Sequence, residues 1–558
     1  VNIPSPALVT QRAVQRLPRL PLLLLCAAYL LPGLFGRDPW KNADITAFGY
    51  MAAMGEGRSS WLAPLVGQLP PEGVLLPHWL GAAFIALLSP MVEPALAARL
   101  PFALLLALTL ALTWYSTFHL ARTEAAQPVA FAFGGEANAV DYARAVADGA
   151  LLALMATLGL LQLGHETTPE LAQLFAMALL LWGLAASAYR SATARLAVLA
   201  ALPLLSACDA PNVALAAGVI GTVVCARSVD APVRRFAPWT GAATLASLVL
   251  TLVLQHNHWR WYFTADTAQL LQLGRLVSWF LWPVWLLVPW TLWRWRRHLL
   301  KRHIALPLGL ALVALGASIA LGGSDRALLL ALPALAVLAG FALPTLRRSA
   351  SAAIDWFSVF FFTAGALVIW VVYAAMQTGT PARTAANIAR LAPGFTAEFS
   401  LVRLIAAIAG TLAWLALVRW RTARHPQALW KSLVLPAGGV ALAWLLVMTL
   451  WLPALDYARS YRPWVQRIAR HVGRDAPCIV APGMQRAAVA GMEYFGGWRV
   501  DARPNAAEGT DCPVLLMAEN EPTRAAPNLP GWRFIARERR PTDREESVLI
   551  YRRASASR

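Results

Sequence analysis

The chain has 558 residues, 58% of them apolar and only 14% charged, with 24 Trp and a mean hydropathy of +0.54. A soluble protein carries about 25% charged residues, and long apolar runs recur here far beyond what one buried core can use, so a water-soluble globular enzyme is excluded. The net charge is +19, but the 48 basic residues fall in short clusters between apolar runs rather than on one stripe. That distribution excludes a nucleic-acid binder and follows the positive-inside rule.

Taken in chain order, apolar runs at 21–36, 98–120, 149–163, 171–187, 194–208, 211–226, 238–255, 277–293, 304–322, 327–344, 356–376, 401–418 and 433–453 predict about thirteen transmembrane helices. A basic start (Arg12, Arg16, Arg19) precedes the first run, as in a signal peptide. A charged, Trp-bearing stretch then follows in place of a small-residue cleavage site, so the run is read as a retained first helix. With a cytoplasmic N-terminus, thirteen crossings put Arg190 and Arg195, Arg227 with Arg234 and Arg235, Arg294 to Arg302, Arg347 and Arg348, and Arg419 to Arg424 all inside.

The same parity makes 74–90 a helix lying in the outer interface, with His78 and Trp79 near the headgroups; the alternative is a missed span. It also makes 121–148 a cytoplasmic loop. The outer segments are then 37–97, 164–170, 256–276 and 377–400, on a membrane domain of 1–453. The last of these is polar, punctuated by Gly and Pro, and long enough to act as a flap.

Residues 454–558 read as a small α/β domain outside the membrane, with a basic helix-like start and β-like pieces CIVAP, CPVLLMA, WRFIARE and SVLIYRR. Phosphate loop, metal spacing and nucleophile triad are not found in it, and His471, Asp475 and Asp511 read as surface residues. Cys478 and Cys512 lie in this tail and can pair if it is outside the cytoplasm. Cys26, Cys208 and Cys225 lie in or beside apolar runs and read as packing residues.

The most informative stretch follows the first helix. From 33 to 57, GLFGRDPWKNADITAFGYMAAMGEG gathers Arg37, Asp38, Trp40, Lys41 and Asp44 before an apolar helix face through Phe48, Met51 and Met54. The plain reading is an interfacial helix with charges at its headgroup end. The chemical reading is a carboxylate that takes a proton from an acceptor hydroxyl while neighbouring cations hold an anionic lipid headgroup. The second outer segment holds His165, Glu166 and Glu170. There Thr168-Pro169-Glu170 also reads as an ordinary helix start, with threonine as cap. Carboxylates at one surface can hold a divalent cation against a phosphate, although the spacing is unspecific.

In 255–279 aromatics mix with Arg260 and Arg275, either as an interface belt or as a lipid-phosphate clamp. His256 and His258 lack nearby metal-ligand partners. Arg383 and Arg390 lie on the same side in 376–400.

The order of a first helix, G-R-D-P-W-K-x-x-D and an outer amphipathic helix resembles the polyprenyl-phosphate-dependent glycosyltransferases of the GT-C fold, among them the lipid A aminoarabinose transferase and the protein mannosyltransferases. In GSDRALLLALPAL, from 323 to 335, Arg326 seven positions before Pro333 resembles the family's basic residue ahead of a helix-interior proline. The thirteen-span count and the outer tail match the same architecture.

The resemblance implies an all-α polytopic GT-C-like membrane domain with a periplasmic α/β tail in a bacterial inner membrane. It implies transfer of a sugar, with inversion, from a polyprenyl-phosphate donor to a lipid, glycan or protein acceptor. Asp44 would be the base, supported by Glu166 and Glu170. Arg326, Arg275, Arg37, Lys41, Arg260 and Arg383 would be the donor-phosphate cations, and Trp40, His78 and His165 the acceptor or sugar contacts. The chain departs from the family at Ile45, where an acidic residue follows the aspartate, at Ala47 and Phe48 in place of Arg-Tyr, at Glu72 and Gly73 where a lysine is expected, and at Leu330 in place of a tyrosine.

Two other classes remain. A transporter or flippase calls for paired repeats or mid-span charges, and neither is evident; Asp209 lies near a helix end. A non-catalytic lipid-binding scaffold of the same fold is favoured only by the departures around Asp44.

Overall fold

The computed structural model describes residues 4–254, 267–423, 428–473, 476–519, 527, 529–543 and 545–554. His256, His258, Arg260 and Asp475 lie outside the described residues. Among the described residues seven helices are long and apolar enough to cross a bilayer: Pro94–Ala121, Pro169–Ala186, Ala231–Leu254, Arg302–Ala320, Arg348–Thr378, Leu401–Thr422 and Lys431–Arg459. Leu271–Phe280 and Val284–Arg294 meet the same requirement together, bent by 95° at a break containing Pro283. Proline ends a helix there because it lacks an amide N–H and disfavours helical geometry in the residue before it. Five further apolar helices are shorter: α1 (Arg19–Leu30), Leu76–Leu88, Ser191–Ala207, Pro211–Ala226 and Leu332–Thr345. The chain is a multi-pass membrane protein.

Two compact units arise, Val1–Pro32 with Phe102–Leu367 and Ile405–Val447, and Gly33–Pro101 with Val368–Leu404 and Met448–Arg558. In the first unit the run at 149–163 differs from the expected single span. Its helix starts earlier, at Ala139, where the Asn138 side chain accepts the Val140 N–H at 2.9 Å and caps it. It stops at Ala156, and Leu158–Leu163 is a separate short helix.

The expected loop 121–148 is therefore helical over its last third. Its remainder is tied to the chain's start by Val129 N–H to Ala7 O and Ala137 N–H to Val9 O, each 3.0 Å. The cations follow a similar logic of use. Arg302 is buried, and its guanidinium donates to Ala185 O at 2.8 Å, Ser187 Oγ at 2.9 Å and Leu184 O. These groups end the helix Pro169–Ala186, whose last carbonyls have no partner within the helix.

The second unit joins the stretch after the first helix to the tail. Helices α2 (Ala43–Gly55) and α3 (Leu76–Leu88) pack so closely that a Cβ on Gly81 would lie 2.3 Å from Met51 Sδ. At thirteen residues α3 is too short to span about 30 Å of hydrocarbon, and it buries Pro77, His78, Gly81, Ala82 and Ile85.

The tail is a five-stranded sheet in the order β2-β1-β3-β5-β4. β1 (Ile479–Val480) pairs in parallel with β2 (Val500–Asp501) and β3 (Val514–Glu519); β5 (Ser547–Arg553) is antiparallel to β3 and to β4 (Trp532–Arg539). Val480, Leu515, Leu549 and Tyr551 make its core. Helix Arg462–Val472 buries Trp464, Val465, Ile468 and Val472, one face at helical spacing. A second tail helix, Arg486–Gly496, was not legible as such. It packs on α2, where a Cβ on Gly49 would lie 2.6 Å from Ala490 Cβ, so only glycine admits that approach.

Cys478 and Cys512 form a disulfide with Cα atoms 5.4 Å apart, closing 34 residues that run through β1, Arg486–Gly496 and β2. Replacing both by serine is expected to lower the stability of the tail by about 2–4 kcal/mol, measured as its unfolding transition in detergent. Unchanged unfolding, together with both thiols freely alkylated in unreduced protein, would count against this.

Candidate functional site

In the second unit the short loop before α2 is bonded along its whole length. Asp44 stands in the first turn of α2 and is 2% exposed. Its Oδ2 accepts the Trp40 backbone N–H at 3.1 Å and Arg37 Nη2 at 3.3 Å, and the Arg37 side chain is wholly buried. The Trp40 indole N–H donates to Asp456 Oδ1 at 2.7 Å, the same oxygen that accepts the Asp38 N–H at 3.3 Å. One tryptophan is thus held by two carboxylates, with the guanidinium carbons of Arg37 and Arg459 at 4.8 Å and 5.1 Å from its ring.

Asp38 is held by Arg462 through two bonds of 2.6 Å and 2.8 Å, a bidentate fork. Lys41 Nζ lies 2.6 Å from Asp543 and 3.5 Å from Glu546, and its backbone N–H donates to Arg459 O at 3.0 Å. Glu546 in turn accepts the Tyr461 hydroxyl at 3.1 Å and buried Arg540 at 2.5 Å. The hydrogen bond from Lys41 holds the Asp543 carboxyl below its ordinary range.

Further along, Gly67 N–H donates to Glu493 at 3.0 Å, Arg486 pairs with Glu72, and Phe48 meets Tyr494 edge-on at 4.7 Å. His78 is buried, with Nδ1 3.1 Å from Val74 O and its ring edge-on to Tyr50.

The first unit contains a separate polar group. Arg326, on the short helix Asp325–Leu329, donates to Glu166 at 2.6 Å, Glu170 at 3.4 Å and Thr168 Oγ1 at 3.3 Å. Burial works against its charge, but Glu170 and Glu166 outweigh that effect and raise its pKa above the ordinary value. Gln162 donates to the other oxygen of Glu166 at 3.0 Å.

Thr168 precedes the helix Pro169–Ala186 but makes no side-chain cap bond. The capping role read from its sequence is therefore corrected: its hydroxyl faces Arg326 instead. His165 places Nδ1 2.7 Å from Leu161 O and Nε2 2.9 Å from Tyr29 O, with Trp444 beside its ring at 4.7 Å. Arg275 and Arg383 are exposed on helices Thr267–Phe280 and Ala382–Leu391.

The expected residues therefore divide. Arg37, Trp40, Lys41 and Asp44 gather in one bonded loop, and Arg326, Glu166 and Glu170 in one ion-paired group. Among the described residues no group of three or more His, Cys, Asp or Glu has metal-holding geometry. Sequence reasoning missed Asp456, Arg459, Arg462, Asp543 and Glu546, which hold the loop, and Arg99, which is buried in its electrostatic vicinity. Their only local signal is acidic and basic residues at the end of the last apolar run and between β4 and β5.

The fold is that of solved GT-C enzymes. The chain is similar to ArnT from Cupriavidus metallidurans bound to undecaprenyl phosphate, with a TM-score of 0.62 at 15% identity over 96% of this chain and 98% of that one. Against the apo state of the same protein the TM-score is 0.62 at 14% identity, over 95% and 97%. No protein-family model and no curated protein matches the chain.

Trp40→Phe keeps the ring but removes the N–H that Asp456 accepts. It is expected to destabilise the protein by about 1–3 kcal/mol with helical content unchanged by circular dichroism; an unaltered melting temperature would contradict the bond's importance. The Lys41–Asp543 tie carries a pH signature. Because the folded-state pKa of Asp543 is depressed, its contribution is complete above the ordinary value of 3.8 and is lost as pH falls through the folded value. The stability gap between wild type and Asp543→Asn should close over that acid window, whereas a pH-independent gap would show that the charge is not involved.

Proposed function

We propose that the protein is a membrane glycosyltransferase that moves a sugar from a polyprenyl-phosphate donor to a lipid, glycan or protein acceptor. The observation that carries this reading is Asp44, seated in the first turn of α2 beside Arg37 on a scaffold with the fold of ArnT. We place the chain in a bacterial inner membrane, N-terminus in the cytoplasm and tail in the periplasm, where the arginine clusters obey the positive-inside rule.

In the proposed step Asp44 takes the proton of the acceptor hydroxyl as that oxygen bonds to the anomeric carbon. The bond from that carbon to the phosphate oxygen breaks, and polyprenyl phosphate leaves with the electron pair, so a single displacement inverts the centre. Cations set in a poorly screened rim stabilise the leaving phosphate more than they would in water. Arg37 is the cation proposed next to the base; Arg326, Arg275 and Arg383 are further candidates for lipid phosphate, to be replaced one at a time. Lys41 is engaged by Asp543 and Glu546, so its contribution is assigned to holding the loop.

Burial of Asp44 favours a second reading, a lipid-binding scaffold in which the carboxylate only fixes the loop. Transfer of labelled sugar from an undecaprenyl-phosphate-sugar pool to envelope lipids and glycans separates the two, comparing wild type with Asp44→Asn at matched expression. Under the enzyme reading the variant loses at least about 100-fold in transfer yet still binds undecaprenyl phosphate. Equal labelling by both proteins would remove Asp44 as base and turn attention to Glu166 and Glu170. No labelling by either, with lipid binding intact, would favour the scaffold.

A further inference from the structure

Arg99 lies in the second turn of helix α4 (Pro94–Ala121) and is 4% exposed. Its Nε has no hydrogen-bond partner, and among the described residues no carboxylate is within ion-pair reach of its guanidinium. The charges close enough to act on it are Arg37, Asp44, Asp456 and Asp38. These are already engaged: Asp38 by the fork of Arg462, Asp44 by Arg37 and the Trp40 amide, and Asp456 by the indole of Trp40 and the amide of Asp38. Arg459 lies over the Trp40 ring, and among the described residues it makes no ion pair either.

Arg37 and Arg459 lie over the Trp40 ring, and Arg99 brings a third guanidinium to the same neighbourhood. A guanidinium taken out of water without a partner is unfavourable, and such groups persist where a function requires them.

We propose that Arg99 is a phosphate-binding residue, whose guanidinium takes an oxygen of the phosphate carried by the lipid-linked donor. This rests on the glycosyltransferase reading and deepens it by naming the cation that waits for the donor's charge. A sugar-phosphate diester carries the negative charge that a buried guanidinium without a carboxylate partner lacks. The planar fork of arginine suits phosphate oxygens better than a lysine ammonium does.

The test uses the purified full chain in detergent as wild type, Arg99→Met and Arg99→Lys. Melting temperature is read without ligand and with undecaprenyl phosphate, phosphatidylglycerol or inorganic phosphate. Without ligand, Arg99→Met should melt at or above the wild-type temperature, because an unpaired buried charge has been removed. With undecaprenyl phosphate, wild type should be stabilised, Arg99→Met should bind about 10- to 100-fold more weakly, and Arg99→Lys should recover part of the loss.

An apo melting temperature of Arg99→Met clearly below wild type would show a structural role and overturn the proposal, as would wild-type affinity in either variant. If Arg99→Met does not fold, Arg99→Lys with undiminished binding overturns it and weakened binding supports it. If undecaprenyl phosphate leaves wild type unaffected, the donor reading fails. The anion site then survives only if phosphatidylglycerol or inorganic phosphate stabilises wild type and not Arg99→Met; no stabilisation by any of the three overturns both.

Discussion

The bond from the Trp40 indole to Asp456 joins positions 416 residues apart and holds in place the loop on which the site depends. A ten-residue loop has many conformations, and fixing its backbone costs about 1–2 kcal/mol per residue. Here that entropy is offset by charge-assisted bonds supplied from two other stretches of chain, 456–462 and 540–546. Asp456 holds Trp40, Arg462 holds Asp38, Asp543 and Glu546 hold Lys41, and Arg540 fastens Glu546 while donating to Ala458 O. The tail domain is thus part of the support of the first loop, and the two belong to one compact unit.

Burial raises the stakes of this arrangement. Arg37 and Asp44 are removed from water together, and a buried pair contributes little net stability compared with an apolar core, while breaking it leaves a lone charge and is costly. Such a pair specifies geometry rather than adding stability. The Arg326 group follows the same rule with different parts: one guanidinium serves Glu166, Glu170 and the Thr168 hydroxyl, so three acceptors fix its direction. Arg302, buried against the end of a helix, has no chemistry to do, and its guanidinium is used by carbonyl groups. Arg99 differs in that, among the described residues, no carboxylate pairs with it and its Nε has no hydrogen-bond partner.

Similarity in fold to ArnT at 15% identity over nearly the whole length illustrates how one membrane fold admits very different sequences. Apolar side chains facing lipid or one another are interchangeable so long as length and apolarity are kept, so layout outlasts identity. Chemistry lives in the few positions where residue type cannot change freely. Among the first-loop residues singled out, Asp44 is bonded to Arg37 and the Trp40 amide, and Phe48 packs on Tyr494.

Much was legible from residues alone. The apolar runs became helices, one of them split in two, and four of the five strands of the tail sheet come from the pieces read as strands while β2 was not read, because apolar length and β-branched runs are properties of consecutive residues. Arg37, Trp40, Lys41 and Asp44 could be singled out for the same reason, as a dense polar cluster between apolar runs. What lies between elements was not legible. The helix Arg486–Gly496 looks like a loop until α2 covers its small residues, and Thr168 looks like a cap until Arg326 takes its hydroxyl. Lys41 stands out in the sequence as one cation of the first loop, and only the structure brings Asp543 and Glu546 to it from the far end of the chain. Sequence determines which segments must leave water and which charges are available; only the tertiary structure decides which of those charges meet, because pairing depends on distance in space between residues hundreds of positions apart.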